Sequence, residues 1–295
     1  EATTGTPAAT SDSTGSTGST PTATQYISLT TLLKGQIAAS DNSQVGQVTG
    51  VLIQHPVIST SGSMTPTEAP TATQGNFVVR YLLVNNTGAS SSSSSSSGDV
   101  VLVPWQALNV ASTSNGSTGS TASAGTYTLT VSSSAFTGAP TASMTDIQNG
   151  TGTWASGVDS YWTSQGLTIP LTGSTSSNPS DYLFLLTSAD GLKVSDQANN
   201  TLGAASDVFI DPATGEIVYI QVNTGSSMGN RTVVIPSSFL NWNPGSAAAA
   251  VNNAGQFVLN LPAANLANFP SIDLSNGLNA NTIDQLNQYW QSIQK

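Results

Sequence analysis

The sequence predicts a mainly β chain: two tandem small β modules, each followed by a short helix, behind an extended N-terminal arm. Three observations predict it. An internal repeat keeps its parts in one order, the apolar segments are short and β-branched between Gly, Pro and Asn, and the last stretch carries a helical stripe.

The arm comes first. Residues 1–24 are Thr, Ser, Gly, Ala and Pro with hardly an apolar side chain, a composition that cannot bury enough surface to offset its own ordering entropy. The first module spans 25–165, a linker covers 166–181, and the second module spans 182–295. Gln44–Ile53 aligns with Thr201–Ile210, setting Gly46 on Gly203, and Tyr81–Asn85 aligns with Tyr219–Asn223. Val100–Trp105 then aligns with Thr232–Ser237, with Pro104 on Pro236 and a following leucine in each copy, Leu108 and Leu240. Tyr127–Val131 running to Pro140 matches Phe257–Leu261 running to Pro270, and Tyr161-Trp162 matches Tyr289-Trp290.

The offset between partners falls steadily, from 157 at Gly46 and Gly203, through 138, 132 and 130, to 128 at Tyr161 and Tyr289. The surplus length of the first copy therefore sits in the polar stretches Ser59–Gly75, Ser90–Ser97 and Ser112–Gly125, where a β framework accepts insertions. Five or six strands per copy follow. Phe77–Val84 is apolar on both faces except at Arg80, the pattern of a strand buried on both sides or of one whose outer face meets another module. Asp211-Pro-Ala-Thr-Gly-Glu216 has turn chemistry between two strands. The closing helix has Ile283, Leu286, Tyr289, Trp290 and Ile293 on one stripe, Thr282 as cap, and Asp284 and Lys295 placed to suit the macrodipole. Its counterpart, with Trp154, Val158, Tyr161 and Trp162, is interrupted by glycine.

Composition then excludes whole classes of partner. Charged residues make up 7% of the chain against roughly 25% in soluble domains, so a Ser/Thr/Asn/Gln surface carries solubility. With Lys34, Arg80, Lys193, Arg231 and Lys295 as the cations and a net charge of −10, nothing matches a phosphate backbone or an anionic lipid surface. No run of about 18 apolar residues is present, so no membrane span is expected. Without Cys, stability rests on packing or assembly. A chain beginning at Glu1 suggests an exported precursor with its signal peptide removed, hence an extracellular or cell-surface location.

The order of elements in each copy resembles the PRC-barrel family. The resemblance rests on a Gly-containing opening strand, the Asp207–Asp211 and Thr214–Tyr219 hairpin, the Val-Val-Ile-Pro strand at 233–236, and a closing strand that runs to a proline. The second copy, 182–270, fits best. The first, 27–140, adds Pro104-Trp105, which looks like the family's Pro-Trp step, and loses the acidic turn to an insertion. The resemblance implies a small β-barrel used as an adaptor, and no chemistry.

The residues give no catalytic constellation. His55 is the one histidine and precedes Pro56 at a strand end, where a structural role outweighs a metal or general-base role. No Gly-x-Ser-x-Gly elbow accompanies the many serines, and no cofactor is expected. Asp207, Asp211 and Glu216 are the candidate calcium or paired-carboxylate site, although the Asp-Pro-x-x-Gly pattern is already explained by turn formation. Sequons at Asn85, Asn115, Asn149, Asn199 and Asn230 are what this composition produces unaided; glycans there would suit an exported surface. Trp105, Trp242, Tyr161, Trp162, Tyr289 and Trp290 read as core packing rather than a carbohydrate platform, because they recur at equivalent places.

The expected function is therefore a non-catalytic extracellular structural protein that self-assembles into a filament or surface layer. A heterologous contact that does not close generates such a fibre. The segment with Thr22, Thr24, Tyr26, Ile27 and Leu29 is the expected assembly element, added as a strand to a neighbouring barrel. The alternative is a monomeric cell-surface binding or adaptor module for a protein or polysaccharide; a hydrolase with an unrecognised site ranks third.

Overall fold

The computed structural model describes residues 26–55, 77–86, 98–109, 126–150, 154–169, 183–243, 255–270, 272, 274 and 277–293. The expected arm 1–24, the polar stretches Ser59–Gly75, Ser90–Ser97 and Ser112–Gly125, and most of the linker lie outside these residues.

The first half gives β1 (Ile27–Ser28), α1 (Leu29–Leu32), β2 (Gln36–Ala38), β3 (Gln44–Gln54), β4 (Val78–Asn86), β5 (Asp99–Pro104), β6 (Leu108–Asn109) and β7 (Thr126–Leu129). It continues with α2 (Ser133–Thr137), β8 (Thr141–Ser143), α3 (Met144–Asn149) and α4 (Trp154–Ser164). The second half gives β9 (Leu183–Leu186), β10 (Lys193–Ser195), β11 (Thr201–Ile210), β12 (Ile217–Thr224) and β13 (Thr232–Pro236). It closes with β14 (Leu240–Asn243), β15 (Gln256–Leu259), α5 (Ala264–Ala267) and α6 (Ala280–Ile293). The architecture is mainly β, in two curled, barrel-like sheets.

The two sheets share one layout. The first runs β6-β7-β2-β3-β4-β5-β8 and the second β14-β15-β10-β11-β12-β13, each with a single parallel contact, β2 on β7 and β10 on β15. The bulges coincide as well. The long strand slips between Val48 and Gly50 in one sheet and between Ala205 and Asp207 in the other, so Thr49 and Ser206, 157 positions apart, are the extra residues. Asn42 and Asn199 both adopt positive φ, at 63° and 65°, in the turns that feed those strands, a conformation asparagine tolerates.

Gly46 and Gly203 have a steric reason. A Cβ on Gly46 would stand 1.9 Å from the Asn85 carbonyl oxygen, and one on Gly203 would stand 2.2 Å from that of Asn223. Both are backbone atoms of the adjacent strand and have no rotamer to yield, so only glycine permits the close approach.

Strand β4 is apolar on both faces because it is covered on both: Val79, Tyr81, Leu82, Leu83 and Val84 are all buried. The helices seal the sheets. In α4, Val158 and Trp162 are buried; in α6, Leu286 and Trp290 are. The cap of α6 is Asn279, whose side-chain oxygen accepts from the Thr282 amide at 3.0 Å and the Thr282 hydroxyl at 3.1 Å. The helix therefore starts two residues ahead of the expected cap at Thr282, which is itself buried against the first turn. Among the described residues no helix is long and apolar enough to cross a membrane.

Candidate functional site

Of the residues expected to drive assembly, Tyr26, Ile27 and Leu29 lie at a junction between the two sheets. Thr22 and Thr24 fall outside the described residues. Ile27 pairs antiparallel with Ile210 and Ser28 with Phe209, so β1, which precedes the first sheet in the chain, belongs to the second. Tyr26 sets its ring edge-on to Tyr219, centroids 5.7 Å apart, and Leu29 is wholly buried. Asp207 fastens the segment: its carboxylate accepts from the Ser28 hydroxyl at 2.5 Å and from the Thr30 amide and hydroxyl at 3.1 Å each. The Ser28 hydroxyl in turn accepts from the Thr31 amide and caps α1.

The exchange is reciprocal. Strand β9, which opens the second half, pairs not with β11 but with β3 of the first sheet: Phe184 faces Ile53 and Leu185 faces Leu52. Ile27 facing Ile210 and Phe184 facing Ile53 are the same contact made in both directions, since each residue lies 157 positions from its counterpart. Between the two crossings the sheets touch again. Val78 bridges Glu216, the Val79 amide donates to the Gly215 carbonyl, and the Ile217 amide donates to the Phe77 carbonyl, both at 2.8 Å. Val78 and Glu216 are themselves 138 apart, the offset of that region, so counterpart residues meet on a local two-fold axis.

Aromatic rings fill the junction. Phe184 stacks on Trp242 at 3.9 Å and 12°, and Phe77 and Phe257 pack edge-on around it. Trp105 reaches across to the second sheet, donating its indole N–H to the Pro212 carbonyl at 3.2 Å over the turn at Gly215. Gly215 has φ +76°, and a Cβ there would stand 2.8 Å from the Trp105 ring, so that glycine serves both the turn and the seat of the indole. Sequence reasoning placed Trp105 in a core; that it bridges two sheets was not in its motif.

The three candidate carboxylates divide between roles. Asp207 serves β1, as above. Asp211 organises its turn, accepting from the Ala213 amide at 2.7 Å. Glu216 stands beside it, and partial burial followed by repulsion from Asp211 pushes its carboxyl above the usual range. The same two carboxylates add to burial in raising Tyr26. Among the described residues no group of three or more His, Cys, Asp or Glu side chains converges as a metal site would require. His55 packs near Phe184, ring centroids 6.4 Å apart.

The Tyr-Trp pairs make matching bonds. The Trp162 indole donates to the Leu102 carbonyl at 2.7 Å and the Trp290 indole to the Val234 carbonyl at 3.1 Å. The Tyr161 hydroxyl donates to the Ala135 carbonyl and the Tyr289 hydroxyl to that of Asn265. One feature breaks the match: Arg80, on β4, is buried against Asp159 of α4 in an ion pair of 2.8 Å, whereas its counterpart on β12 is Val218.

Residues 183–256 match the PRC-barrel domain family. The matched segment opens on β9, the strand given to the other sheet, and stops at the first residue of β15, so the family unit in sequence and the sheet in space do not coincide. No curated protein matches the chain.

Proposed function

The chain carries a PRC-barrel domain at residues 183–256, and from that premise we propose that it is a non-catalytic extracellular structural protein that polymerises into a filament or surface layer. On this reading it is an internal duplication, two PRC-barrel-like modules at 25–165 and 182–295, each ending in its helix. The observation that carries the reading is the reciprocal exchange of β1 and β9. Each sheet takes one strand, laid along its long interior strand, from the other half of the chain, and that need is met equally well by the same strand of a neighbouring chain.

The geometry of the chain allows it. Eighteen residues separate the end of α4 from the start of β9, a reach of about 60 Å when extended. Opening the pair and re-pairing the first half of one chain with the second half of the next rebuilds every contact at the junction. Because the two halves differ, the contact is heterologous, and with a rotation that does not close it propagates as a fibre. Low charge, 7% of residues, reduces repulsion between packed subunits, and the segment 1–24 adds a further extended element along a neighbour.

Electron microscopy with size-exclusion chromatography tests this. Ordered polymers are expected from the purified chain, and removal of residues 1–24 is expected to leave β-type circular dichroism intact while abolishing them. Discrete monomers under every condition of salt, pH and concentration would replace the structural reading with that of a monomeric cell-surface binding module.

A further inference from the structure

The two sheets differ most where they would otherwise be superimposable. In the first, Arg80 is buried and its guanidinium is fully engaged. Its Nε donates to the Tyr81 hydroxyl at 3.1 Å, one terminal nitrogen to Gln54 Oε1 at 3.3 Å and the other to Asp159 Oδ2 at 2.8 Å, and its carbon lies 5.4 Å from the Tyr81 ring centroid. The counterparts in the second sheet follow from shared register. Tyr219 stands for Tyr81, Asp211 for Gln54 and Asn287 for Asp159, and the Tyr219 hydroxyl donates to Asn287 Oδ1 as the Tyr81 hydroxyl donates to Asp159. The tyrosine and a helix acceptor are thus kept, although Asn287 is neutral where Asp159 is charged, and Asp211, at the Gln54 position, is committed to the amides of its own turn.

The two groups that fill the space are missing. Arg80 is replaced by Val218, and Trp105, next to Pro104, is replaced by Ser237, next to Pro236. In their place lies an open groove of about 240 Å³ lined by Glu216, Tyr219, Pro236, Ser237, Asn287 and Trp290. That volume suits one side chain; pockets for drug-sized ligands start at about 300 Å³. Glu216, where the first sheet has Val78, adds a carboxylate at its rim. Its raised carboxyl reports the burial and the Asp211 repulsion that a bound cation would relieve. Among the described residues, no Lys or Arg lies within ion-pair distance of Glu216.

We propose that this groove is a docking site for an arginine side chain presented by a partner protein, received by Tyr219 and Asn287 at the positions from which Tyr81 and Asp159 hold Arg80, with Glu216 supplying the carboxylate from a position the first sheet does not use. The first sheet is the internal precedent for the tyrosine and helix positions. A planar fork of donors fits several acceptors around a tyrosine ring, which a point-like ammonium does not, so arginine is favoured over lysine. The site is independent of polymerisation and would serve a monomer as well as a filament.

A blocked tripeptide, acetyl-Gly-Arg-Gly-amide, is the probe, titrated into the full chain and followed by NMR at the Trp290 indole and the Asn287 amide group. Saturable shifts are expected at both, with the norleucine analogue at least about tenfold weaker and the lysine analogue weaker than arginine. Glu216→Gln is expected to weaken binding about tenfold, and Val218→Arg with Asn287→Asp, which rebuilds the arrangement of the first sheet, to abolish it. Circular dichroism checks that each variant is folded. The proposal is overturned by the absence of saturable shifts, by norleucine or lysine binding as tightly as arginine, or by arginine binding that Glu216→Gln leaves unchanged.

Discussion

Replacing Phe184 by alanine tests whether the two sheets form one cooperative body. Phe184 is 1% exposed, stacked on Trp242 at 3.9 Å and flanked edge-on by Phe77 at 6.2 Å and Phe257 at 6.3 Å. It belongs in sequence to the second half and in space to the first sheet, so its contacts span both. Truncating a buried phenylalanine costs about 3–5 kcal/mol, cavity included, and the upper half of that range applies because the three surrounding rings, from β14, β15 and the residue before β4, have little freedom to collapse. At about 2–4 °C per kcal/mol, the melting temperature is expected to fall by about 8–20 °C. Differential scanning calorimetry is the assay, with Phe184→Leu as a variant that keeps apolar volume and recovers about half the loss. A single transition shifted as a whole is the expected trace. Two transitions of which only one moves, or a shift below about 3 °C, would refute the junction as a shared core.

Three further outcomes follow from the same geometry. Gly203→Ala forces a Cβ to 2.2 Å from the Asn223 carbonyl oxygen and is expected to cost more than about 2 kcal/mol in urea unfolding; a change within about 0.5 kcal/mol would show that the strands can part freely. Burial pushes Tyr127 and Tyr219 up to about 12, above the ordinary tyrosine value of 10, so the stability tied to their neutral form is complete below pH 10 and is lost as pH rises through about 12. Ultraviolet titration should then show these phenols ionising together with loss of the β signal, and a folded protein with every tyrosine titrating near pH 10 would contradict the burial. Asp159→Asn strips the carboxylate from buried Arg80; with the Asp159 side chain 23% exposed, the expected loss is about 2 kcal/mol by urea unfolding, partly restored by adding Arg80→Met, and an unchanged midpoint would mean that solvent already screens the pair.

Much of the framework was readable from residues because its signals are local. Thr201–Ile210 is the strand the repeat marked out, and Thr232–Pro236 ends at the proline that the alignment paired with Pro104. Arg80, the lone charge in an apolar run, identified a strand covered on both faces. What escaped was partnership. A two-residue strand such as Ile27–Ser28 carries no alternation, and the four apolar residues Leu183–Leu186 announce burial without naming the sheet that buries them. The short helices α2 and α3 also went unseen: five and six residues give too little period to detect, although Ser132 and Ser143 cap them in the usual way. The acidic residues misled for a related reason, since Asp207 looks like a neighbour of Asp211 along the strand while its carboxylate is committed to Ser28 and Thr30, some 177 residues away in sequence.

The bridge between Val78 and Glu216 has a bearing on how such a chain can change. In a pair of identical chains, a residue on the axis faces its own copy, so a carboxylate there would meet a second carboxylate and be expelled by it. Joining the halves in one polypeptide lifts that restriction: valine on one side lets the other carry an acid. Every position near the axis gains the same licence, and one half is free to keep its arginine and tryptophan as internal fillers while the other leaves the corresponding space open to visitors.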